Sequence, residues 1–597
     1  MKQYLLAAAC LCLCACTTEK KIRADKGIPE RGVFSTVPAE RWESGCLTGN
    51  GRMGTIIYGE PTSERVVFNH EGLYLPHPHP EIPDLGKTFS ELRRIYREDG
   101  YEAAKAFSLQ QAAEQGHFNF HSDPFHLAFE LDLKIPEADS VRNFLRTTDF
   151  QTGEVSARWD NGHGKVLRRM FVSRADQVAV LSIKRPESTK LQLTITPLTI
   201  VHDLIDSELQ VEEQWITYHN TYRESQGGYD NVARLTVKGG TVSCDGKKIL
   251  ISDAEEVLLV TRVERYEKLM AGSVETLKKE MLALPQDYTK LLKPHVALHA
   301  EIFNRVTLDL GGGEERSLTS EELLKLAKES SYKSVPKALL EKLYDASRFF
   351  FICSAGETPP NLLGIWNGEF TAPWNGSYTY DTNVQNALDA ALSGNMMEGM
   401  EGFFRMIESH LPEWRINARK LFGCRGVVAP IVGSPYTGLA LHFDRNWPGQ
   451  FWTGGAGWLV SYFYDYYSFT GDVDFLANRV VPLMKEVALF YEDYMVEKDA
   501  NGFYIYSPSA SPEYGIVTLS DNSTFDLAIV KELLTNLIAA CQKLEIEQEN
   551  VLKWQTMLKH VPPYQLGPDG DLAEWADSTF SHFYAHRHYS PFYPVFR

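Results

Sequence analysis

The sequence predicts a multidomain β + α protein, with an N-terminal β-sandwich, a helical linker and an α/α barrel in that order. The chain has 597 residues, more than one hydrophobic core usually serves. Apolar residues that alternate with polar ones dominate its first half, and apolar residues at helical spacing dominate its second half. These patterns place a leader at residues 1–16, the sandwich at 27–275, the linker at 276–334 and the barrel at 335–597.

The first sixteen residues are typical of a lipoprotein signal peptide. Lys2 precedes a short apolar run, residues 4–15, that is too short to span a bilayer. The segment Leu13-Cys14-Ala15-Cys16 resembles a bacterial lipobox, in which cleavage precedes the last cysteine and lipid is attached to it. We therefore expect lipidation at Cys16 and a lipid-anchored protein at the periplasmic or outer-membrane face of a bacterial envelope. The alternative is a plain secretory signal with coincidental cysteines.

The strand predictions rest on apolar residues that alternate with polar ones. In residues 126–135 (HLAFELDLKI) nearly every second residue is a large apolar one, which is typical of a half-buried strand. Residues 191–195 (LQLTI) repeat the pattern, and residues 178–183 and 256–262 are apolar strand candidates. A β-sandwich of about two hundred residues or more accounts for this region.

Apolar residues at helical spacing follow Pro336, a residue that suits the first turn of a helix. Four stripes of apolar residues follow, each with members three or four positions apart. They are Leu339, Leu343, Ala346 and Phe350; Trp458, Tyr462 and Tyr466; Val480, Leu483, Met484, Val487, Tyr491 and Tyr494; and Leu527, Val530, Leu534, Leu537 and Cys541. Long loops rich in Gly, Pro and Trp separate them, and loops of that length in a compact domain are usually functional.

Charge and cysteine content exclude several classes of protein. The net charge of −18 carries no basic block, which argues against nucleic acid or an anionic membrane as a partner. The five cysteines outside the leader are far apart and lack CxxC spacing, so neither a disulfide framework nor a zinc site is indicated. His77 and His79 lie two apart without an evident third ligand, which favours a proline-stiffened loop over a metal site. No metal or organic cofactor is implied.

The candidate catalytic and sugar-binding residues lie in two segments. Residues 360–385 (PNLLGIWNGEFTAPWNGSYTYDTNVQ) set aromatic rings beside an acid and an amide. The residues concerned are Trp366, Trp374, Tyr378, Tyr380, Asp381 and Asn383. A pyranose ring has apolar C–H faces and hydroxyls that need directed partners, so sites for sugars mix these residue types. Residues 507–515 (SPSASPEYG) add Glu513, and glycoside hydrolysis needs two such groups flanking one bond.

The ordered set of motifs along the chain resembles glycoside hydrolase family 95. Its segments are residues 47–54 (LTGNGRMG), 299–310 (HAEIFNRVTLDL), 359–385, 451–458 (FWTGGAGW), 507–515 and 586–588 (HRH). The family is known for inverting α-L-fucosidases and α-L-galactosidases with an N-terminal β-sandwich, a helical linker, an (α/α)6 catalytic barrel and a C-terminal β-domain. The resemblance implies the same order here.

Within SPSASPEYG, Glu513 matches the general acid of that family. An acid must be protonated at the working pH, so we expect an apolar, partly desolvated setting, to which Pro512 and Tyr514 would contribute. The alternative is an exposed glutamate in a turn.

The resemblance assigns the other half of the site to residues 378–385. In the family this stretch carries two asparagines two positions apart that hold the attacking water, one of them polarised by a later aspartate. Here the second is Asn383, and Asp381 occupies the first position. In an extended segment both would point to one side. One hypothesis makes Asp381 a carboxylate base, separated from Glu513 by roughly 6.5–9.5 Å as inversion requires; the other makes it an altered substrate contact or a sign of a decayed site.

The end of the chain departs from the family pattern. Family members continue past a HRHxSxxYxxYP motif into further barrel helices and a β-domain, whereas here the sequence ends HRHYSPFYPVFR. The resemblance therefore predicts an incomplete barrel that lacks the polarising aspartate. Either Asp381 substitutes for that residue, or the chain is a truncated product.

Four residues are predicted to bind the sugar. Arg587 and His588 match a family pair expected at the sugar hydroxyls, with a structural histidine cluster as the alternative. Trp452 is the predicted platform, and Thr379 is a further contact in the water-binding stretch.

The functional hypothesis is an inverting exo-glycosidase that removes terminal α-L-fucosyl or α-L-galactosyl residues from an oligosaccharide or polysaccharide. A non-catalytic glycan-binding lipoprotein derived from such an enzyme is the alternative. A phosphorylase or lyase on the same plan is a third.

Overall fold

The structure is a computed structural model that describes residues 27–136, 140–162, 164–185, 190–444, 446, 449–512, 519–576 and 588–596. The leader with Cys16, and the predicted site residues Glu513 and Arg587, lie outside this part of the chain. Within it, no helix combines the length and the apolar character that crossing a bilayer requires.

Most of the sheet structure lies before residue 270. The strands are β1 (Gly32–Ser35), β2 (Cys46–Gly49), β3 (Met53–Ile57), β4 (Ser63–His70), β5 (Phe129–Lys134), β6 (Arg142–Asp149), β7 (Val155–Asp160), β8 (Lys165–Val172), β9 (Ala179–Lys184), β10 (Leu191–Pro197), β11 (Ile205–Val211), β12 (Trp215–Tyr222), β13 (Gly228–Lys238), β14 (Thr241–Asp245), β15 (Lys248–Ala254) and β16 (Glu256–Tyr266). A later pair, β17 (Tyr378–Thr379) and β18 (Val432–Gly433), forms a separate ribbon.

Among the described residues the first sixteen strands form two antiparallel sheets. Their orders are β1-β6-β7-β8-β9-β16-β13-β12-β11 and β14-β15-β10-β5-β4-β3-β2. The predicted alternation is present, since β5 and β10 bury every second residue. Those residues meet the other sheet in one hydrophobic core, where the rings of Phe129 and Tyr218 lie 5.1 Å apart. The predicted β-sandwich is confirmed.

A buried ion pair joins the two sheets inside this core. Glu64 on β4 and Arg168 on β8 form a salt bridge, and both side chains are fully buried. The carboxylate also accepts the backbone N–H groups of Tyr58 at 2.7 Å and Gly59 at 2.9 Å. Because each buried charge depends on its partner, the pair fixes the two sheets relative to each other.

The helices follow the sheets, with two exceptions early in the chain. They are Phe89–Asp99, Tyr101–Glu114, Ser273–Leu282, Tyr288–Phe303, Ser320–Glu329, Lys337–Ser354, Asn383–Ser393, Glu401–Phe422, Gly455–Thr470, Val473–Phe475, Val481–Tyr494, Thr524–Leu544, Gln548–Lys559 and Tyr593–Phe596. The four predicted stripes fall on Lys337–Ser354, Gly455–Thr470, Val481–Tyr494 and Thr524–Leu544. A helical region therefore follows the sandwich, as predicted.

The chain divides into two compact units. The sheet unit contains the chain up to Pro76, Phe125–Pro373 and Ser393–Gly402, and so includes the sandwich and the helices that follow it. The helical unit contains His77–Pro124, Trp374–Leu392 and the chain from Phe403 onward. The segment His77–Pro124 leaves the sandwich sequence to supply two helices to the helical unit, an excursion that the alternation pattern does not reveal. The predicted domain limits remain predictions.

Replacing Arg168 by methionine should destabilise the sandwich severely. The change leaves the Glu64 carboxylate buried without its counter-charge, which costs about 3–5 kcal/mol. Urea-induced unfolding, followed by circular dichroism, measures the loss. Arg223→Met is the matched control, because Arg223 pairs with Asp206 on the exposed surface of the same unit. The interpretation is contradicted if both variants lose equally little stability.

Candidate active site

Five predicted site residues lie in the described part of the helical unit: Thr379, Asp381, Asn383, Trp452 and His588. They come from three separate segments of the sequence. Hydrogen bonds position these segments in the fold.

The β17–β18 ribbon positions the predicted water-binding stretch, residues 378–385. Tyr378 pairs with Gly433 and Thr379 with Val432, and the N–H of Tyr380 donates to the carbonyl of Ile431 at 2.9 Å. The ring of Tyr380 lies so close to Gly433 that a Cβ there would come within 2.9 Å of it. Glycine is therefore required at position 433 for the ribbon to pass the ring.

After the ribbon the chain turns into a helix. Asp381 lies in the turn and is 5 % exposed, whereas Asn383 is exposed and begins the helix Asn383–Ser393. The N–H of Asn386 donates to the carbonyl of Thr382 at 2.9 Å, and Nε2 of Gln385 donates to that of Tyr380 at 2.5 Å. The expectation of an extended segment with both side chains on one side is therefore wrong.

This turn gives Asp381 a setting that suits a carboxylate. Its backbone stands two residues before the helix Asn383–Ser393, where the positive end of the helix dipole favours a negative charge. An aspartate can accept a proton from water only in its ionised, carboxylate form.

Trp452, the predicted sugar platform, is buried. Its side chain is 1 % exposed and lies against Gly455, where a Cβ would come within 2.7 Å of the indole ring. The indole N–H has no hydrogen-bond partner among the described residues. The role of Trp452 as the platform stays a prediction.

The loop before Glu513 is fixed by a buried carboxylate. Oδ2 of Asp526 accepts the hydroxyl of Ser509 at 2.5 Å and the N–H of Ala510 at 3.3 Å. The backbone groups of Ser509 and Ser520 also bond to each other in both directions, at 2.8 and 2.9 Å. Ala510 precedes Glu513 by three positions, so this anchor fixes the backbone shortly before the predicted acid.

Asp526 is held at the start of the helix Thr524–Leu544. Its N–H donates to Oγ of Ser523, the N-cap, at 3.2 Å, and the N–H of Ser523 donates to Oγ of Ser509 at 3.0 Å. A Cβ on Gly454 would come within 2.9 Å of the other Asp526 oxygen, Oδ1, which makes no hydrogen bond with the described residues. Burial raises the pKa of Asp526 to about 6, against the effect of its hydrogen bonds.

Two further contacts hold the same loop. Ser511 donates to the carboxylate of Glu574, and Ser590 donates to the carbonyl of Pro512. His588 stands two residues before Ser590, and Glu513 directly follows Pro512. The Ser590 contact therefore brings the segment of His588 next to the segment of the predicted acid.

The excursion His77–Pro124 supplies two anchors that sequence reasoning missed. Arg93 donates to the carbonyl of Ser507 at 2.9 Å and to that of Tyr494 at 2.8 Å. Asp123 accepts the hydroxyl of Ser434, next to β18, at 2.8 Å, and lies 3.0 Å from Nε2 of His79. The His77–His79 loop is thus fastened to an aspartate. Of the missed residues, only Asp526 carries a local sequence signal, the Ser-x-x-Asp spacing of a helix start.

Comparison with known proteins agrees with this architecture. Residues 287–597 match the glycosyl hydrolase family 95 catalytic domain, and residues 33–266 match the glycosyl hydrolase family 65 N-terminal domain. "Alpha-L-fucosidase 2" of Arabidopsis thaliana is 24% identical, over 94% of this chain and 71% of its own. "Probable alpha-fucosidase A" of Aspergillus oryzae is 26% identical, over 64% of this chain and 55% of its own.

A solved structure shares the fold at low sequence identity. It is described as "Putative kojibiose phosphorylase from human microbiome", with a TM-score of 0.61, 11% identity and coverage of 92% of this chain and 73% of that chain. The sandwich, the helical region and the family matches together define a glycoside hydrolase. The chain belongs to glycoside hydrolase family 95, since the match to its catalytic domain spans more than half of the sequence.

Replacing Asp526 by asparagine should change how stability depends on pH. The folded pKa of about 6 lies above the ordinary value of 3.8, so between these values the folded chain binds a proton that the unfolded chain lacks. Stability contributed by this group is therefore lost as pH rises through that window, by about 3 kcal/mol in total. Asparagine does not titrate, so the variant avoids this loss. We therefore expect its free energy of unfolding, relative to that of wild type, to rise by about 3 kcal/mol between pH 4 and pH 7.

Urea unfolding at several pH values measures this difference. Asp474→Asn, at an exposed position in the same unit, is the matched control. A difference that stays constant with pH for Asp526→Asn would contradict the buried, proton-binding state.

Proposed function

We propose that the protein is an inverting exo-glycosidase that removes terminal α-L-fucosyl or α-L-galactosyl residues from complex glycans. The observation that carries the proposal is the anchored loop 507–512, whose hydrogen bonds to Asp526, Glu574 and Ser590 fix the backbone that leads directly into Glu513. The names of the relatives, which are fucosidases, support fucose as the first sugar to test.

In the proposed reaction, Glu513 gives its proton to the glycosidic oxygen as the bond to the anomeric carbon breaks. A water molecule attacks that carbon from the opposite face, and Asp381 takes up the proton that the water loses. Asn383 orients the water through its amide. The products are the free sugar with inverted configuration and the shortened glycan.

Asp381 is the residue that distinguishes this chain from the family pattern. An asparagine holds water but cannot accept its proton at neutral pH, whereas a carboxylate accepts it directly. The position of Asp381 two residues before a helix start supports a carboxylate there, because the positive end of the helix dipole favours a negative charge.

The envelope location remains part of the proposal. It rests on the leader alone, in which Cys16 would carry the lipid. Membrane fractionation of a Cys16→Ser chain tests it, because loss of the lipid should move the protein to the soluble fraction.

Two substitutions test the assigned roles. Glu513→Gln should lower kcat/KM for 2′-fucosyllactose by about 10²–10⁴-fold, and less for α-L-fucosyl fluoride, because fluoride leaves without an acid. Asp381→Asn should lower kcat/KM for both substrates by about 10²–10⁴-fold, because both reactions need the base. Steady-state rates with each substrate measure these effects.

Glu549→Gln and Asp474→Asn are the matched controls, since both residues are exposed in the helical unit. Full activity of Asp381→Asn would contradict the carboxylate base. If the unmodified protein binds fucosylated glycan but hydrolyses neither substrate, it is the non-catalytic glycan-binding lipoprotein instead.

A further inference from the structure

Trp374 is presented to solvent by a backbone that few residues adopt. Its side chain is 82 % exposed, and its φ and ψ of 47° and 36° lie in the left-handed region. Asn375 follows with φ 59° and ψ 7°, and Gly376 with φ 56°. Left-handed conformations are costly for residues other than glycine and asparagine, and such strain collects at functional sites.

The turn is held in place. Both the N–H and the hydroxyl of Ser377 donate to the carbonyl of Trp374, at 3.3 and 2.9 Å. An exposed apolar ring gains little from burial, and its backbone conformation costs free energy. The arrangement therefore does not serve stability, and it fixes the backbone that carries the indole.

The register of the ribbon places a second aromatic residue at the same end. Because β17 and β18 are antiparallel, the chain before Tyr378 and the chain after Gly433 leave the ribbon at one end. Trp374 precedes Tyr378 by four residues and lies within about 14 Å of it. Tyr436, which is 37 % exposed, follows Gly433 by three residues.

The opposite end of the same ribbon leads to the candidate site. Thr379 is its last residue in β17, and Asp381 lies two residues beyond. A continuous, hydrogen-bonded piece of backbone thus joins the exposed aromatic end to the water-binding stretch. A glycan held at Asp381 has further sugar units that can reach the aromatic end.

The chemistry of the aromatic end fits a sugar. An indole offers a flat apolar face for pyranose C–H groups, and the next residue, Asn375, carries an amide that can bind hydroxyls. We propose that Trp374, with Tyr436 at the same end of the ribbon, forms a stacking subsite for a sugar of the glycan other than the one released. This rests on the proposed function and makes oligosaccharides and polysaccharides, rather than small glycosides, the substrate class.

Trp374→Ala tests the subsite by the split between KM and kcat. The variant should raise KM for 2′-fucosyllactose by about fivefold to tenfold with little change in kcat, because one stacking contact is lost. Its kinetics with α-L-fucosyl fluoride, which has no second sugar, should match wild type. Phe469→Ala is the matched control, since Phe469 is an exposed aromatic on the helix Gly455–Thr470 of the same unit.

A second variant separates binding from folding. Trp374→Gly suits the left-handed backbone, so its thermal unfolding midpoint should equal that of wild type while its KM for 2′-fucosyllactose rises as in Trp374→Ala. A KM unchanged in both variants overturns the subsite. A large loss of stability in both also overturns it, because the residue would then be structural.

Affinity electrophoresis in gels that contain fucosylated xyloglucan makes the test independent of catalysis. The subsite is supported if the gel retards wild type and Phe469→Ala but not Trp374→Ala. This holds even if the protein hydrolyses no substrate, and in that case only the proposed reaction fails. Equal retardation of wild type and Trp374→Ala, or none for wild type, overturns the subsite.

Discussion

The helical unit depends on one constraint, the burial of the Asp526 carboxylate. A carboxylate taken out of water needs donors, and here they come from Ser509 and Ala510 of the loop that precedes Glu513. The helix Thr524–Leu544 supplies the aspartate, and its N-cap Ser523 donates to the same loop. The free energy that burial costs at Asp526 is thus offset by contacts that hold the loop before Glu513 to the start of this helix.

Buried charged groups also join distant segments elsewhere in the chain. In the sandwich, the buried pair of Glu64 and Arg168 joins the two sheets. In the helical unit, Asp123 joins the excursion His77–Pro124 to the loop after β18. Charged or polar groups that lie far apart in sequence fix each functional segment, while apolar packing supplies the bulk of the stability.

Periodicity in the sequence was enough to predict the sandwich and the helices, because alternation and helical spacing report which face of an element is buried. It did not reveal that the helix Lys337–Ser354 buries Glu341 and Asp345 while Leu343 and Phe350 are exposed. Glu341 forms a salt bridge with Arg316, and Asp345 forms one with Arg31. No local sequence pattern predicts partners that lie so far away in the chain. For the same reason the role of Asp526 at Ser509 was missed, and the turn at Asp381 was mistaken for extended chain.

The stereochemistry of the first product tests the central claim, that Glu513 and Asp381 act as acid and base across one glycosidic bond. Proton NMR of the reaction with 4-nitrophenyl α-L-fucoside follows the anomeric signals before the free sugar equilibrates. Direct attack by water predicts that β-L-fucose appears first. Initial release of α-L-fucose would require a covalent intermediate and would contradict the account.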